Sequence, residues 1–197
     1  MLSKLSLLSK FAGVVLVSLA ASSCVTETTE SPSMKFSDTA VIAVQDPNAF
    51  VTKGSTVAWL PDAVRFYEDE RLENAPVKAL IEKEIVENLL AKEMILVESV
   101  NGARYSIAYT AALESSLDDS AIIRRFGLLP GNSQVPQDDS NIEKGSLIIY
   151  VFDNKSNDVI WRSAAQVSVK FDMPADERKR RIERVLAEMF QTFKVTE

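Results

Sequence analysis

The sequence predicts an α+β fold of two layers, a mainly antiparallel sheet with two main helices on one face. Three observations lead there. Residues 77–89 and 182–193 carry apolar side chains at helical spacing, so each offers one apolar stripe. Residues 159–171 alternate apolar and polar side chains, the pattern of a strand with one buried face. Residues 146–153 are apolar on both faces, as in a central strand. Laying both helices on one side of the sheet buries every one of these surfaces. The expected order is strand-strand-helix-strand-strand, a short helix, then strand-strand-helix.

The first two strands are expected at 39–44 and 55–60, the second opened by Lys53-Gly54 and stopped by Pro61-Asp62. In the first helix Asn74 is placed to cap and Pro76 to occupy the first turn. Val77, Leu80, Ile81, Ile85 and Leu89 then fall on one stripe, which should end near 92–94. Residues 95–100 and 103–110 flank Asn101-Gly102, a dipeptide suited to a two-residue turn, and predict a hairpin. Asp118-Asp119 before a short apolar run stopped by Gly127 predict a short capped helix. Residues 128–145, with Pro130, Gly131, Asn132 and Pro136, read as a loop. In the strand at 159–171, Val159, Trp161, Ala165, Val167, Val169 and Phe171 should point to the core, with Ser163 among them. Arg162, Gln166, Ser168 and Lys170 should point away. The last helix opens near 174–176 with acids in its first turn.

The chain has 197 residues, enough for one domain and a short appendage at about 100–200 residues per domain. It has no histidine, which removes imidazole triads, histidine proton shuttles and histidine metal ligands. A single cysteine removes internal disulfides and thiolate metal clusters. Six scattered glycines make no phosphate-cradling loop, and no cofactor is implied. The formal net charge of −6 argues against nucleic acid as a partner, because binding it needs clustered cations. The one basic cluster, Arg178 to Arg181, lies among acids and reads as a solvated helix face.

The amino end is the most specific feature. Lys4 and Lys10 precede an apolar run at 11–21, too short for a bilayer span of about 20 residues but suited to a secretory signal. Ala20-Ala21-Ser22-Ser23 then lead into Cys24, an arrangement that resembles the lipobox of bacterial lipoproteins. The resemblance implies a signal peptide at 1–23, an acylated Cys24 inserted in the lipid bilayer, and, with Val25 next, the periplasmic face of an outer membrane. Residues 24–34 read as a tether, and 35–197 as a single domain. Removing 1–23 takes away two lysines and no acid, leaving 20 basic residues against 28 acidic, or −8.

Thr56-Val57-Ala58-Trp59-Leu60-Pro61, Leu89-Leu90-Ala91-Lys92-Glu93, Tyr105-Ser106-Ile107-Ala108-Tyr109, 145–153 and Val159-Ile160-Trp161-Arg162-Ser163 follow one another in an order that resembles the bacterial lipoprotein family of domain of unknown function 4136. The family typically carries a glycine where this chain has Glu93. The resemblance implies an envelope lipoprotein and brings no catalytic residues with it.

Candidate sites follow from these readings. Trp161 belongs to the core, and Trp59 has no clean polar face beside it. Asp118-Asp119 and Asp138-Asp139 are the carboxylate pairs that could serve a glycan hydrolase, but their spacing suits a helix cap and a solvated loop better. The chain therefore reads as a non-enzymatic module that binds another envelope component. Its candidate contacts are the polar sheet face of Arg162, Gln166 and Lys170, and the loop bearing Gln137, Asp138 and Asp139. The alternative is a small-ligand or lipid binder, which requires an apolar cavity between sheet and helices.

Overall fold

The computed structural model describes residues 39–72, 76–128, 130–131 and 139–197. In chain order the first strands are β1 (Thr39–Gln45), β2 (Val51–Thr52), β3 (Thr56–Trp59) and β4 (Arg65–Phe66). Helix α1 (Val77–Ala91), β5 (Ile95–Leu96), β6 (Tyr105–Leu113) and α2 (Asp119–Phe126) follow. β7 (Ile142–Asp153), β8 (Asp158–Lys170), α3 (Ala175–Phe190) and β9 (Val195–Thr196) close the chain. Seven strands form one open sheet in the order β1-β8-β7-β6-β3-β5, with β4 also alongside β6. The long pairs β1/β8, β8/β7 and β7/β6 are antiparallel, whereas β3/β6, β3/β5 and β4/β6 are parallel. β2 and β9 make a separate parallel pair. The fold is α+β, with α1 and α3 together on one face of a mainly antiparallel sheet.

Several elements end where local chemistry requires. Pro61 stops β3, opens a short 3-10 turn and leaves β4 to resume pairing with β6. The Asp118 carboxylate accepts from the Ala121 N–H at 2.7 Å, and Gly127 closes α2 at φ +65°. α1 ends in a Schellman arrangement, with Met94 N–H donating to Leu89 O and Glu93 N–H to Leu90 O. The residue in the left-handed position is Glu93, at φ +59°. Asn74, the expected cap of α1, lies outside the described residues, as do 1–38 with Cys24, and Gln137 and Asp138.

Three expectations about the strands are corrected. The hairpin at Asn101-Gly102 does not form: residues 100–102 make a 3-10 turn, and β3 lies between β5 and β6, parallel to both. Strand β7 begins at Ile142, so 142–145 belong to the sheet rather than to a loop. The alternation along β8 breaks at a bulge, where Val151 pairs with Trp161 but Phe152 pairs with Val159. Ile160, the extra residue, turns into the core beside Trp161, and Val159 is left 43% exposed.

The sheet is covered on both faces. On one, α1 and α3 enclose the main core around Ile85, Leu89, Tyr109, Trp161, Leu186 and Phe190. On the other, α2 and its flanks bury Ile122, Leu117 and Leu128 against Ala112, Ile148 and Ala164. The face expected to lie open is thus occupied. Gln166 is 1% exposed and donates to the Asp119 carboxylate at 2.6 Å, while Arg162 donates to Phe126 O at 3.1 Å. Lys144 completes the clamp on Asp119 at 2.7 Å. These side chains hold α2 to the sheet, and of the three expected contact residues only Lys170 is exposed.

Candidate functional site

On the face toward α1 and α3, the register of β6, β7 and β8 lays side chains out in rungs. Ile107–Val151–Trp161 and Tyr109–Ile149–Ser163 come first, then Ala111–Leu147–Ala165 and Leu113–Gly145–Val167. The first rungs carry large side chains that reach the helices. The last two place Ala111, Ala165 and Gly145 among Leu113, Leu147 and Val167. An apolar cleft of about 140 Å³ results, roofed by Val77 and Ile81 of α1 and by Ile182 and Val185 of α3.

Gly145 is what keeps the floor low. A Cβ there would stand 2.6 Å from Val169 Cγ2 and 3.8 Å from Leu113 Cδ2. Its φ is not positive, so the glycine answers a need for space and not for backbone freedom. An enclosed apolar cavity of about 150 Å³ is known to accept benzene, so the cleft has room for about six carbon atoms.

Among the described residues, the charged ones lining the cleft are Lys170, at the end of β8, and Arg178 and Arg181, one turn apart on α3. Arg178 Nη2 donates to Phe171 O at 3.2 Å, which steadies its guanidinium at the rim. Phe171 lies under the Arg71 guanidinium, 4.2 Å from its ring centroid. Arg71 is itself committed, at 2.8 Å to Asp69 and 2.6 Å to Glu143. The bond from Arg71 holds the Asp69 carboxyl below its ordinary value. Burial alone would raise Glu143, but the Ser115 N–H at 2.6 Å and Arg71 outweigh it and lower it.

The other candidate residues sit elsewhere. Asp118 and Asp119 cap and clamp α2, and Asp139 is exposed, its carboxylate accepting from the Asn141 N–H at 2.9 Å. Trp161 is wholly buried against Phe190 and Phe193, each ring centroid 5.1 Å away. Trp59 meets Tyr109 edge-on at 6.0 Å. The residues that make the cleft were not legible as a set. Ala111, Gly145 and Ala165 come from three strands, and Arg178 and Arg181 looked like part of a solvated helix face. Lys179 of that cluster does face solvent, paired with Glu183.

Residues 42–193 match the family model described as Domain of unknown function (DUF4136), and the chain belongs to that family. Among solved structures it is similar to a DUF4136 family protein from Bacteroides thetaiotaomicron, 16% identical over 79% of this chain and 96% of that one, with a TM-score of 0.48. It is also similar to PelC from Paraburkholderia phytofirmans, described as a dodecamer, 10% identical over 77% and 96% of the two chains, with a TM-score of 0.43. At these identities and scores nothing of either protein's role transfers to this chain. The comparison with curated proteins gives no match.

Proposed function

We propose that this member of the DUF4136 family is a non-enzymatic lipoprotein of the bacterial envelope whose cleft between the sheet and α1/α3 takes the apolar chain of a small ligand. In this reading an acylated Cys24 and the tether after it hold the domain at the periplasmic face of the outer membrane. The anchor rests on the sequence before and around Cys24. The ligand reading rests on one observation: a cleft of about 140 Å³ lined by Ala111, Leu147, Ala165, Ile81, Ile182 and Val185. Apolar surface left uncovered in this way is a binding surface, since filling it removes more of that surface from water.

The test follows the isoleucine methyl resonances of the full chain carrying Cys24→Ser, which stays unacylated, as 1-octanol is added. Ile81 and Ile182 should shift saturably while Ile160, at the packed end, stays still. Ala165→Leu, which fills the floor, should abolish the shifts. Cleft methyls that do not respond would overturn the ligand reading. Fatty-acid labelling in cells tests the anchor: label on the unsubstituted protein and none on Cys24→Ser is expected, and an unlabelled natural chain would overturn it.

A further inference from the structure

Strand β1 has the composition of an interior strand but stands at the end of the sheet. We infer that β1 pairs, antiparallel and about a two-fold axis, with β1 of a second copy of this chain, which joins the two sheets into one. β1 is first in the sheet order, and among the described residues only β8 pairs with it. Its seven residues, TAVIAVQ, hold no charge and no proline, the devices that keep exposed edges from pairing. The opposite edge is protected by its shortness, since β5 has two residues. Ile42 is 37% exposed and Val44 45%, both opposite Ala164 and Arg162 on the sheet face that carries α2. Ile123 of α2, 46% exposed, adds a third apolar side chain to that side of the sheet.

The backbone fixes the register. Asp46 N–H donates to Ile160 O at 2.9 Å, and Ile42 O lies toward β8, accepting from Ser163 Oγ at 3.1 Å. Antiparallel bonds alternate along a strand, so Val41, Ala43 and Gln45 turn their N–H and C=O groups outward. Centring the axis on Ala43 bonds all of these groups: Ala43 meets the partner's Ala43, and Val41 meets the partner's Gln45. The same register lays Ile42 against the partner's Val44, so the exposed apolar side chains cover one another. A second copy supplies this match by symmetry, and an uncharged strand meets its own copy without repulsion. The pairing is independent of the cleft, and only its membrane part rests on the anchored reading above. The register sets the two Thr39 residues roughly 27 Å apart. Residues 24–38 of each chain span up to roughly 50 Å, so both acylated ends reach one leaflet. Confinement there raises the effective concentration of one copy at the other.

The experiment co-expresses two differently tagged full chains that keep Cys24, one with Ile42→Cys and the other with Val44→Cys, and adds an oxidant to intact cells. Both positions are exposed, so neither substitution disturbs the core. The Cα atoms of residue 42 and of the partner's residue 44 would lie about 4.5 Å apart, within disulfide range. Two copies of residue 42, or two of residue 44, would lie about 8 Å apart and outside it. The mixed cross-link should therefore exceed either like-with-like product about tenfold, over a background set by the chain without added cysteine. Ala43→Pro removes one outward N–H and spares the bonds to β8, so it should cut the mixed cross-link about tenfold at an unchanged melting temperature. The cysteine result stands by itself if the proline disturbs the strand. Equal yields of mixed and like products, no product above background, or a cross-link to another protein in place of a copy would overturn the pairing. Fatty-acid labelling of the same cells reads the anchor separately: the mixed cross-link on unlabelled protein would uphold the pairing and overturn only the anchor.

Discussion

The two ends of one sheet face are packed by opposite means. At one end Trp161 stacks against Phe190 and Phe193, and its indole N–H donates to Thr192 Oγ1 at 3.2 Å. At the other, three positions on neighbouring strands carry only alanine or glycine, and the space is left as a cleft. The strands and helices run continuously through both ends. The difference therefore lies in side-chain volume on a shared frame. One end holds the fold, and the other is free to do something else.

The contrast can be tested in order of effect. Trp161→Ala should cost about 3–5 kcal/mol, because the cavity it leaves is closed on every side. Denaturant unfolding would show this as a fall in midpoint at unchanged slope, and a loss under about 1 kcal/mol would mean that this end is not the keystone. Gly145→Ala should cost about 1–3 kcal/mol, since its methyl meets Val169 and the floor must shift. The same substitution should weaken octanol binding, whereas Trp161→Ala in its folded fraction should not. Glu93→Gly should stabilise by about 1 kcal/mol, because Glu93 holds a left-handed backbone at φ +59°. Its exposed ion pair with Lys53 offsets little of that gain, and thermal melting would read the difference.

The smallest effect is on the acid side of stability. The bond from Arg104 holds Asp153 below the usual carboxylate value at the packed end. Arg71 does the same for Asp69, and contributes to the lowering of Glu143, near the cleft. A carboxyl lowered in the folded state contributes stability that is complete above its unfolded value and is lost as pH falls through the folded one. The melting temperature should therefore drop as pH falls below the ordinary carboxylate range. Arg71→Gln should flatten the Asp69 and Glu143 part of that drop while leaving the Asp153 part. A slope unchanged by Arg71→Gln would show that the cleft-end cluster adds nothing.

Much of this was legible from sequence because it is local. Pro61, the Asp118 cap, the Gly127 stop and the helical stripes act within a turn or two of the chain, and each lies where it was read. The doubly apolar run at 146–153 also carried a warning: a strand buried on both faces needs cover on both, and that cover is α2. Assigning Arg162 and Gln166 to an open face overlooked it. The Asn101-Gly102 turn failed because β3, some 45 residues earlier in sequence, took the place between β5 and β6 that a hairpin would have closed.

The sequence by itself determined where the main helices and the long central strands lie, that Trp161 is buried, and that the domain is acidic and lacks histidine. Only the tertiary structure decided that Ile160 bulges inward, that α2 takes the second sheet face, and that Ala111, Gly145 and Ala165 share one floor beneath α1 and α3. The physical reason is range. Backbone preferences and periodicity are settled by neighbours a few residues apart, whereas a cleft is empty volume. Its size depends on the register between strands that the chain brings together only when it folds.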